Sequence, residues 1–345
     1  MFWIVGGTPF FLALLKLFVN PLPEWLLQQF EHKPWNGFSA EDLIMPLFLF
    51  VVGSAMPFSF GQRIARGQSK RGIYLKIVRR VVILWFLGMV YQGNLCKYDW
   101  NQLLLFSNTL QAIAVGYAFA AVAMLNLRIA WQAATIAVLL VTYWALLNFI
   151  PVPGHGTVVI EPKANLALWL EEQLLGHFRR GDYVWILPSL GFIATVLLGV
   201  MSGHLLRSQR SGGRKVALLV AIGLGLLAGG GIWGQWFPIN KHMWNSPMVL
   251  WSGGLSFLLL AAFYLVIDVL EWRAWAFPFI VIGGNAITAY MLWRIANFRT
   301  VADYLVGGLN PRLGVWGGFL HAFVAFAALW ILLWYMRRNK TFIKI

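Results

Sequence analysis

The chain has 345 residues, of which 60% are hydrophobic and only 11% are charged, with a formal net charge of +15. Soluble domains carry about 25% charged residues, so this composition and a mean hydropathy of +0.70 exclude an ordinary soluble fold. They predict an all-α polytopic membrane protein, in which the basic charge marks the topology in the lipid bilayer and indicates no nucleic-acid partner.

Ten apolar windows are long enough to cross the hydrocarbon core, which requires about 20 apolar residues each. In chain order they are 2–19, 43–60, 73–91, 103–125, 129–150, 184–206, 216–233, 249–267, 276–295 and 315–336. Lys and Arg are concentrated in 63–80, 207–215 and 337–344, which alternate with less basic connections. The positive-inside rule therefore predicts about ten transmembrane helices with both termini in the cytoplasm.

Few features interrupt this pattern. The first window starts beside Met1 without a basic segment or a small-residue cleavage site, so no cleaved signal peptide is expected. Cys96 is the single cysteine, which excludes an internal disulfide. The longest outer connection, 151–183, is expected to contain a short interfacial helix at 166–175. No repeat and no second soluble domain is visible, so residues 1–345 are predicted to form a single transmembrane domain.

A polar turn lies directly before the second window, on the predicted outer side. Pro34 and Gly37 interrupt helix on either side of Trp35 and Asn36. Polar residues beside a membrane span are costly and therefore indicate a functional site. His32, at the start of this turn, has the residue type for a general base or a transient acyl carrier near neutral pH.

The same turn has a purely structural interpretation. Ser39 and Asp42 have the S-x-x-D spacing of a helix capping box, which predicts a helix start near Ser39. Asp42 would then be only a cap, Trp35 a member of the interfacial aromatic belt and His32 an ordinary loop histidine. Metal-binding and serine-hydrolase motifs are missing from the sequence, so neither chemistry is predicted.

Three stretches resemble one known family. FEHKPWNGFSAEDLIMPLFLFVVGSAMPFS (30–59), PINKHMW (238–244) and GGNAITAY (283–290) resemble the transmembrane acyltransferase family that includes lysosomal heparan-alpha-glucosaminide N-acetyltransferase, in its bacterial branch. The resemblance implies a single transmembrane acyltransferase domain in the bacterial inner membrane, acting as a homodimer. It also implies transfer of an acetyl group from cytosolic acetyl-CoA to an amino sugar or glycan hydroxyl on the outer face, with His32 as the family's key histidine.

Further residues receive roles consistent with that chemistry. Asn36 and Asp42 are predicted to assist His32. The Asn36 amide can donate a hydrogen bond to a developing oxyanion. Arg79 and Arg80 are the candidate contacts for the phosphates of acetyl-CoA. Asn285, in the ninth window, is predicted to line the cofactor pocket, with an interhelical hydrogen bond as the alternative. The candidate acceptor contacts are Trp35, Asn240 and Lys241, of which the last two could equally be ordinary turn residues.

A second function class stays open from the sequence. Polar residues and helix breakers inside apolar windows are also typical of transporters and flippases. Such a protein should show two related halves, and no internal symmetry is visible in this chain. A purely structural role would leave the polar turn without a purpose.

Overall fold

The computed structural model describes residues 1–157 and 160–343, so Lys344 of the basic C-terminal segment lies outside it. The described part is mainly helical, because a helix satisfies the backbone hydrogen bonds of an apolar segment internally. The α-helices are α1 (Thr8–Leu15), α2 (Glu24–Leu27), α3 (Ile44–Ala65), α4 (Lys70–Tyr91), α5 (Thr109–Asn126), α6 (Ile129–Phe149), α7 (Leu166–Leu175), α8 (Ser189–Arg207), α9 (Gly212–Trp233), α10 (Ser246–Tyr264), α11 (Phe277–Gly284), α12 (Ala286–Ile295), α13 (Phe298–Val306), α14 (Asn310–Leu313) and α15 (Val315–Arg338). Two short strands, β1 (Ile160–Glu161) and β2 (Ala164–Asn165), pair antiparallel in the predicted outer connection.

The prediction of an all-α polytopic membrane protein is confirmed. In the described part of the chain, seven helical segments are long and apolar enough to span a bilayer, and α11 with α12, bent by 69°, would make an eighth. The window 2–19 contains a shorter apolar helix, Trp3–Leu15. The window 73–91 lies within α4, which carries five basic residues. A total of ten spans and cytoplasmic termini therefore stay predictions.

The exposed side chains of α4 are those expected of a helix that faces lipid. Leu75, Val78, Val82 and Phe86 are each more than half exposed, and their spacing of three or four residues places them on one face. Ile77 and Leu84 are buried on the opposite side. Helix α4 thus presents a continuous apolar stripe to its surroundings, despite its charged residues.

The chain forms two compact units. The terminal unit combines residues 1–31 with the chain from residue 270 onward, and the central unit comprises residues 32–269. The terminal unit has its own apolar core, in which Val5 packs with Val281 of α11, Ala289 of α12 and Leu329 of α15. The single domain over residues 1–345 stays a prediction.

The central unit is organised around α8, most of which is buried. Helices α3 and α8 touch through their backbones: a Cβ placed on Gly53 would lie 1.9 Å from the Val196 carbonyl oxygen, and one on Gly199 would lie 2.0 Å from that of Phe50. Only glycine permits this contact, which resembles the small-residue packing of membrane helices. The predicted helix at 166–175 is confirmed as α7.

Candidate active site

The polar turn ends in a buried carboxylate at the start of α3. A 3₁₀ turn, Glu41–Leu43, precedes α3, close to the predicted helix start. Asp42 is 1% exposed, and its Oδ2 accepts hydrogen bonds from the Ser39 backbone N–H and from Ser39 Oγ, both at 3.0 Å. The backbone bond is the acid-to-N–H half of the predicted capping box. The Ser39 hydroxyl also donates to Asp42.

The other oxygen of Asp42 faces His32 and Lys241. Asp42 Oδ1 lies 2.9 Å from His32 Nδ1 and 3.1 Å from Lys241 Nζ. Lys241 Nζ is also 2.9 Å from His32 Nδ1 and 3.3 Å from His32 Nε2. A carboxylate can only accept, so it favours the tautomer with the proton on Nδ1. This tautomer leaves the Nε2 lone pair, on a side chain that is 48% exposed, as the accessible base.

A second segment, residues 238–245, carries Lys241 to this position. The Gly37 N–H donates to the Ile239 carbonyl at 2.8 Å, and Asn36 and Asn240 form an isolated antiparallel bridge. Gly37 has φ of +110°, a conformation that favours glycine. The 30–59 and 238–244 motifs therefore build one site through backbone pairing, with Asn36 and Asn240 204 residues apart in the chain.

Asn240 is fully buried, and its hydrogen bonds are internal. Its Nδ2 donates to Asn36 Oδ1 at 3.3 Å, and its Oδ1 accepts from the Met243 N–H at 2.9 Å. Asn245 supports the same turn, because its Nδ2 donates to the Pro238 carbonyl at 2.7 Å. These bonds fix the backbone on both sides of Lys241. Asn240 thus has the contacts of a residue that holds the turn.

Aromatic rings adjoin this group of polar residues. Trp35 Nε1 donates to the Ile160 carbonyl at 2.8 Å, and the Trp35 ring centroid is 5.2 Å from that of His242. The Tyr183 ring stacks on His242 with centroids 4.0 Å apart and planes 14° from parallel. Burial raises the pKa of Tyr183 to about 12. Burial, with Lys241 as a second cause, lowers the pKa of His242, which favours a neutral ring.

Neither His242 nor Tyr183 is among the site residues predicted from the sequence. The one signal for His242 was its place inside PINKHMW, next to Lys241. Tyr183 had no signal, because its position depends on how the outer connection folds back over the site.

Three other predicted site residues have their observed contacts with groups other than His32. Asn285 belongs to the terminal unit, where its Nδ2 donates to the Thr341 carbonyl and its Oδ1 accepts from the Ile343 N–H. Thr341 and Ile343 follow the end of α15, so these bonds join Asn285 to the C-terminal segment and are not the interhelical bond of the alternative. Arg79 is exposed on α4. The Arg80 guanidinium lies 4.5 Å from the Tyr117 ring centroid, and its Nε is buried without a hydrogen-bond partner among the described residues.

The arrangement has the parts required for acid–base chemistry at a carbonyl group. A half-exposed imidazole is oriented by a buried carboxylate, and an ammonium lies beside both. The carboxylate fixes the tautomer of the base, as in other oriented histidine sites. The ammonium, on a side chain that is 9% exposed, supplies N–H donors.

Comparisons with a family model and with curated proteins indicate the same family. A family model described as heparan-alpha-glucosaminide N-acetyltransferase, catalytic, matches residues 18–227, more than half of the chain. The heparan-alpha-glucosaminide N-acetyltransferases of Mus musculus and Homo sapiens are each 24% identical to it over 92% of its length. The chain covers 56% of each of these curated relatives, and so spans little more than half of their length.

Proposed function

The chain belongs to the heparan-alpha-glucosaminide N-acetyltransferase catalytic family, and from that premise we propose that it is a membrane acetyltransferase with His32 at its reaction centre. The observation that carries the proposal is the 2.9 Å contact between His32 Nδ1 and the buried Asp42 carboxylate, which favours the tautomer with its lone pair on Nε2. The acceptor is an amine or hydroxyl of a sugar or glycan. His32 Nε2 either removes the proton from that acceptor or carries the acetyl group as an intermediate.

Acetyl-CoA is the proposed acetyl donor, with its nucleotide end on the cytoplasmic side. Arg79 and Arg80 are the proposed phosphate contacts, and the buried, unpartnered Nε of Arg80 among the described residues supports this role for one of them. A guanidinium suits phosphate because it presents several N–H groups in one plane. Asn285 remains a proposed contact of acetyl-CoA.

The proposed acceptor site adjoins His32 on the outer face. Trp35 supplies an aromatic surface there. Asn36 is exposed, its Oδ1 accepts from Asn240, and its NH₂ has no hydrogen-bond partner among the described residues. We assign Asn36 as a polar contact near the carbonyl oxygen that develops negative charge. A homodimer in the bacterial inner membrane completes the proposal.

The test is transfer of labelled acetyl from acetyl-CoA to glucosamine or a glucosamine oligosaccharide by the purified protein in detergent or nanodiscs. Loss of general-base catalysis costs about 10²–10⁴-fold, so His32→Ala should reduce kcat by at least about 10²-fold. The matched control is His155→Ala, since His155 is an exposed histidine of the outer connection. A full rate in His32→Ala would refute the role of His32.

One observation favours the alternative, a glycan or small-molecule transporter. Helices α11 and α12 form a broken pair bent by 69° at Asn285, a feature that transporters use at binding sites. Proteoliposomes loaded with labelled glucosamine oligosaccharide distinguish the two functions. An acetyltransferase should produce acetylated sugar only with acetyl-CoA, whereas a transporter should release unmodified sugar without it.

A further inference from the structure

Lys241 is the one basic side chain that contacts His32 among the described residues, and it is largely buried. The side chain is 9% exposed, and its Nζ lies between Asp42 Oδ1 and both ring nitrogens of His32. An ammonium has three N–H donors. Asp42 Oδ1 takes one. Because Nζ lies 2.9 Å from Nδ1 and 3.3 Å from Nε2, it sits beside the imidazole ring and not along the Nε2 lone pair, which stays available as the base. At least one N–H is therefore available at the place where a substrate must approach Nε2.

We propose, on the basis of the acetyltransferase function above, that Lys241 is a catalytic residue whose ammonium donates a hydrogen bond to the oxyanion of the tetrahedral intermediate. This assignment replaces the contact with the acceptor glycan that the sequence suggested. The acetyl group reaches Nε2 from the donor side, so its carbonyl oxygen comes within range of an ammonium only 3.3 Å from the same nitrogen.

The step balances without any further reactant. The acceptor nitrogen or oxygen forms a bond to the thioester carbonyl carbon, and the C=O π electrons move to the oxygen, where Lys241 donates without giving up its proton. The acceptor's proton passes to His32 Nε2. The carbonyl then re-forms, the C–S bond breaks, and the departing CoA thiolate takes the proton from His32. If His32 is instead acetylated first, the same oxyanion forms twice and Lys241 serves both times.

Lys241 suits this role better than Asn36 for electrostatic reasons. A full positive charge in a buried site stabilises an oxyanion more than an amide dipole in contact with water. Asn36 is exposed, and Asn240 already orients its amide. The backbone bonds around 238–245 hold Lys241 in place before the reaction, so it needs little reorganisation when the charge develops.

The charge state of Lys241 gives the proposal a pH signature. Burial lowers the pKa of Lys241 from its ordinary value, with Asp42 and Glu41 opposing the shift. His32 also faces it from the polar turn, and His242 adjoins it in the chain, with Asp182 and Tyr183 near His242. The role requires the protonated ammonium. The rate should therefore fall on the alkaline side, at a pH below that at which an exposed lysine loses its proton.

The experiment replaces and then rebuilds this ammonium. In a Cys96→Ser background, Lys241→Cys should lower kcat by about 10²–10³-fold, the usual effect of losing one oxyanion donor, with a much smaller change in either KM. Aminoethylation of the new thiol restores an amine of nearly the same length that is less basic than lysine. It should recover much of kcat and move the alkaline limb of the kcat profile to lower pH.

Lys241→Arg is the second variant. It keeps a positive charge beside Asp42, so it serves as the test if Lys241→Cys cannot be purified as a folded protein. Its guanidinium stays protonated throughout, so the alkaline fall in kcat should disappear. The matched control is Lys97→Cys in the same background, an exposed lysine of the outer side, which should leave kcat unchanged before and after aminoethylation.

Two results would overturn the role of Lys241: an unchanged kcat in Lys241→Cys, or an alkaline limb at the same pH in the wild type, the aminoethylated protein and Lys241→Arg. Either result would leave the acetyltransferase proposal intact, since that fails only if the wild type transfers no acetyl group.

Discussion

Asp42 shows how one side chain combines a structural and a chemical contact. Its Oδ2 holds Ser39 at the entrance to α3, while its Oδ1 faces His32 and Lys241. The two interpretations of Asp42 from the sequence, cap or site residue, are therefore compatible, because a carboxylate has two oxygens and accepts several hydrogen bonds. The cap fixes the direction of the second oxygen.

Asp42→Asn tests this orientation. The amide has nearly the same shape but no charge, so His32 loses the acceptor that favours the Nδ1–H tautomer and Lys241 loses its counter-ion. We expect kcat for acetyl transfer to fall by about 10²-fold or more, within the range of general-base catalysis. Ser39→Ala is the control, because it removes a donor to Oδ2 and leaves the contacts of Oδ1 in place, so it should cost less than about tenfold. Equal rates in Asp42→Asn and the wild type would show that Oδ1 has no role.

Helix α3 owes its position to its contact with α8. The two helices meet at Gly53 and Gly199, where any larger residue would enter the opposing backbone. Because the polar turn leads directly into α3, this packing also sets the location of Asp42. The site thus depends on glycines that lie well outside it.

Gly199→Ala should separate α3 from α8, since the added Cβ would lie 2.0 Å from the Phe50 carbonyl oxygen. Overpacking of this kind costs about 1–3 kcal/mol, so thermal unfolding should occur at a lower temperature and acetyl transfer should decrease with it. Gly213→Ala in α9 is the matched control, because a Cβ there has nothing within 4 Å. An unfolding temperature for Gly199→Ala equal to that of the control would show that α3 and α8 do not meet so closely.

The whole chain has the surface of a membrane protein, with large apolar side chains such as Val78, Phe119 and Val138 exposed on its long helices. Hydrocarbon is the environment in which such a surface is stable. The orientation in the bilayer rests on the charge distribution alone. This orientation determines whether the polar turn and His32 face the outside of the membrane.

Cys96 offers a direct test of that orientation, because it is exposed and is the only cysteine of the chain. It follows α4 on the predicted outer side, so a membrane-impermeant maleimide should label it in intact cells. Ser211→Cys in a Cys96→Ser background is the cytoplasmic counterpart and should react only after permeabilisation. The opposite pattern would invert the topology and place His32 on the cytoplasmic side.

The sequence by itself determined the class of protein, the main helices and the polar turn before α3. These follow from composition, from the length of the apolar windows and from helix-breaking residues, all of which are local properties of the chain. It also singled out His32, Asn36 and Asp42, since these residues lie within one short motif.

Only the tertiary structure decided that Lys241 lies against His32 and Asp42, that Asn240 holds the turn, and that Tyr183 stacks on His242. Lys241 and His32 are 209 residues apart, and no local pattern encodes such a contact. It arises because α3 and α10 pack in the central unit and bring their preceding turns together, where backbone bonds between Gly37 and Ile239 join them. The physical reason is that local periodicity specifies which face of a helix is apolar, whereas packing between distant helices specifies which polar groups meet.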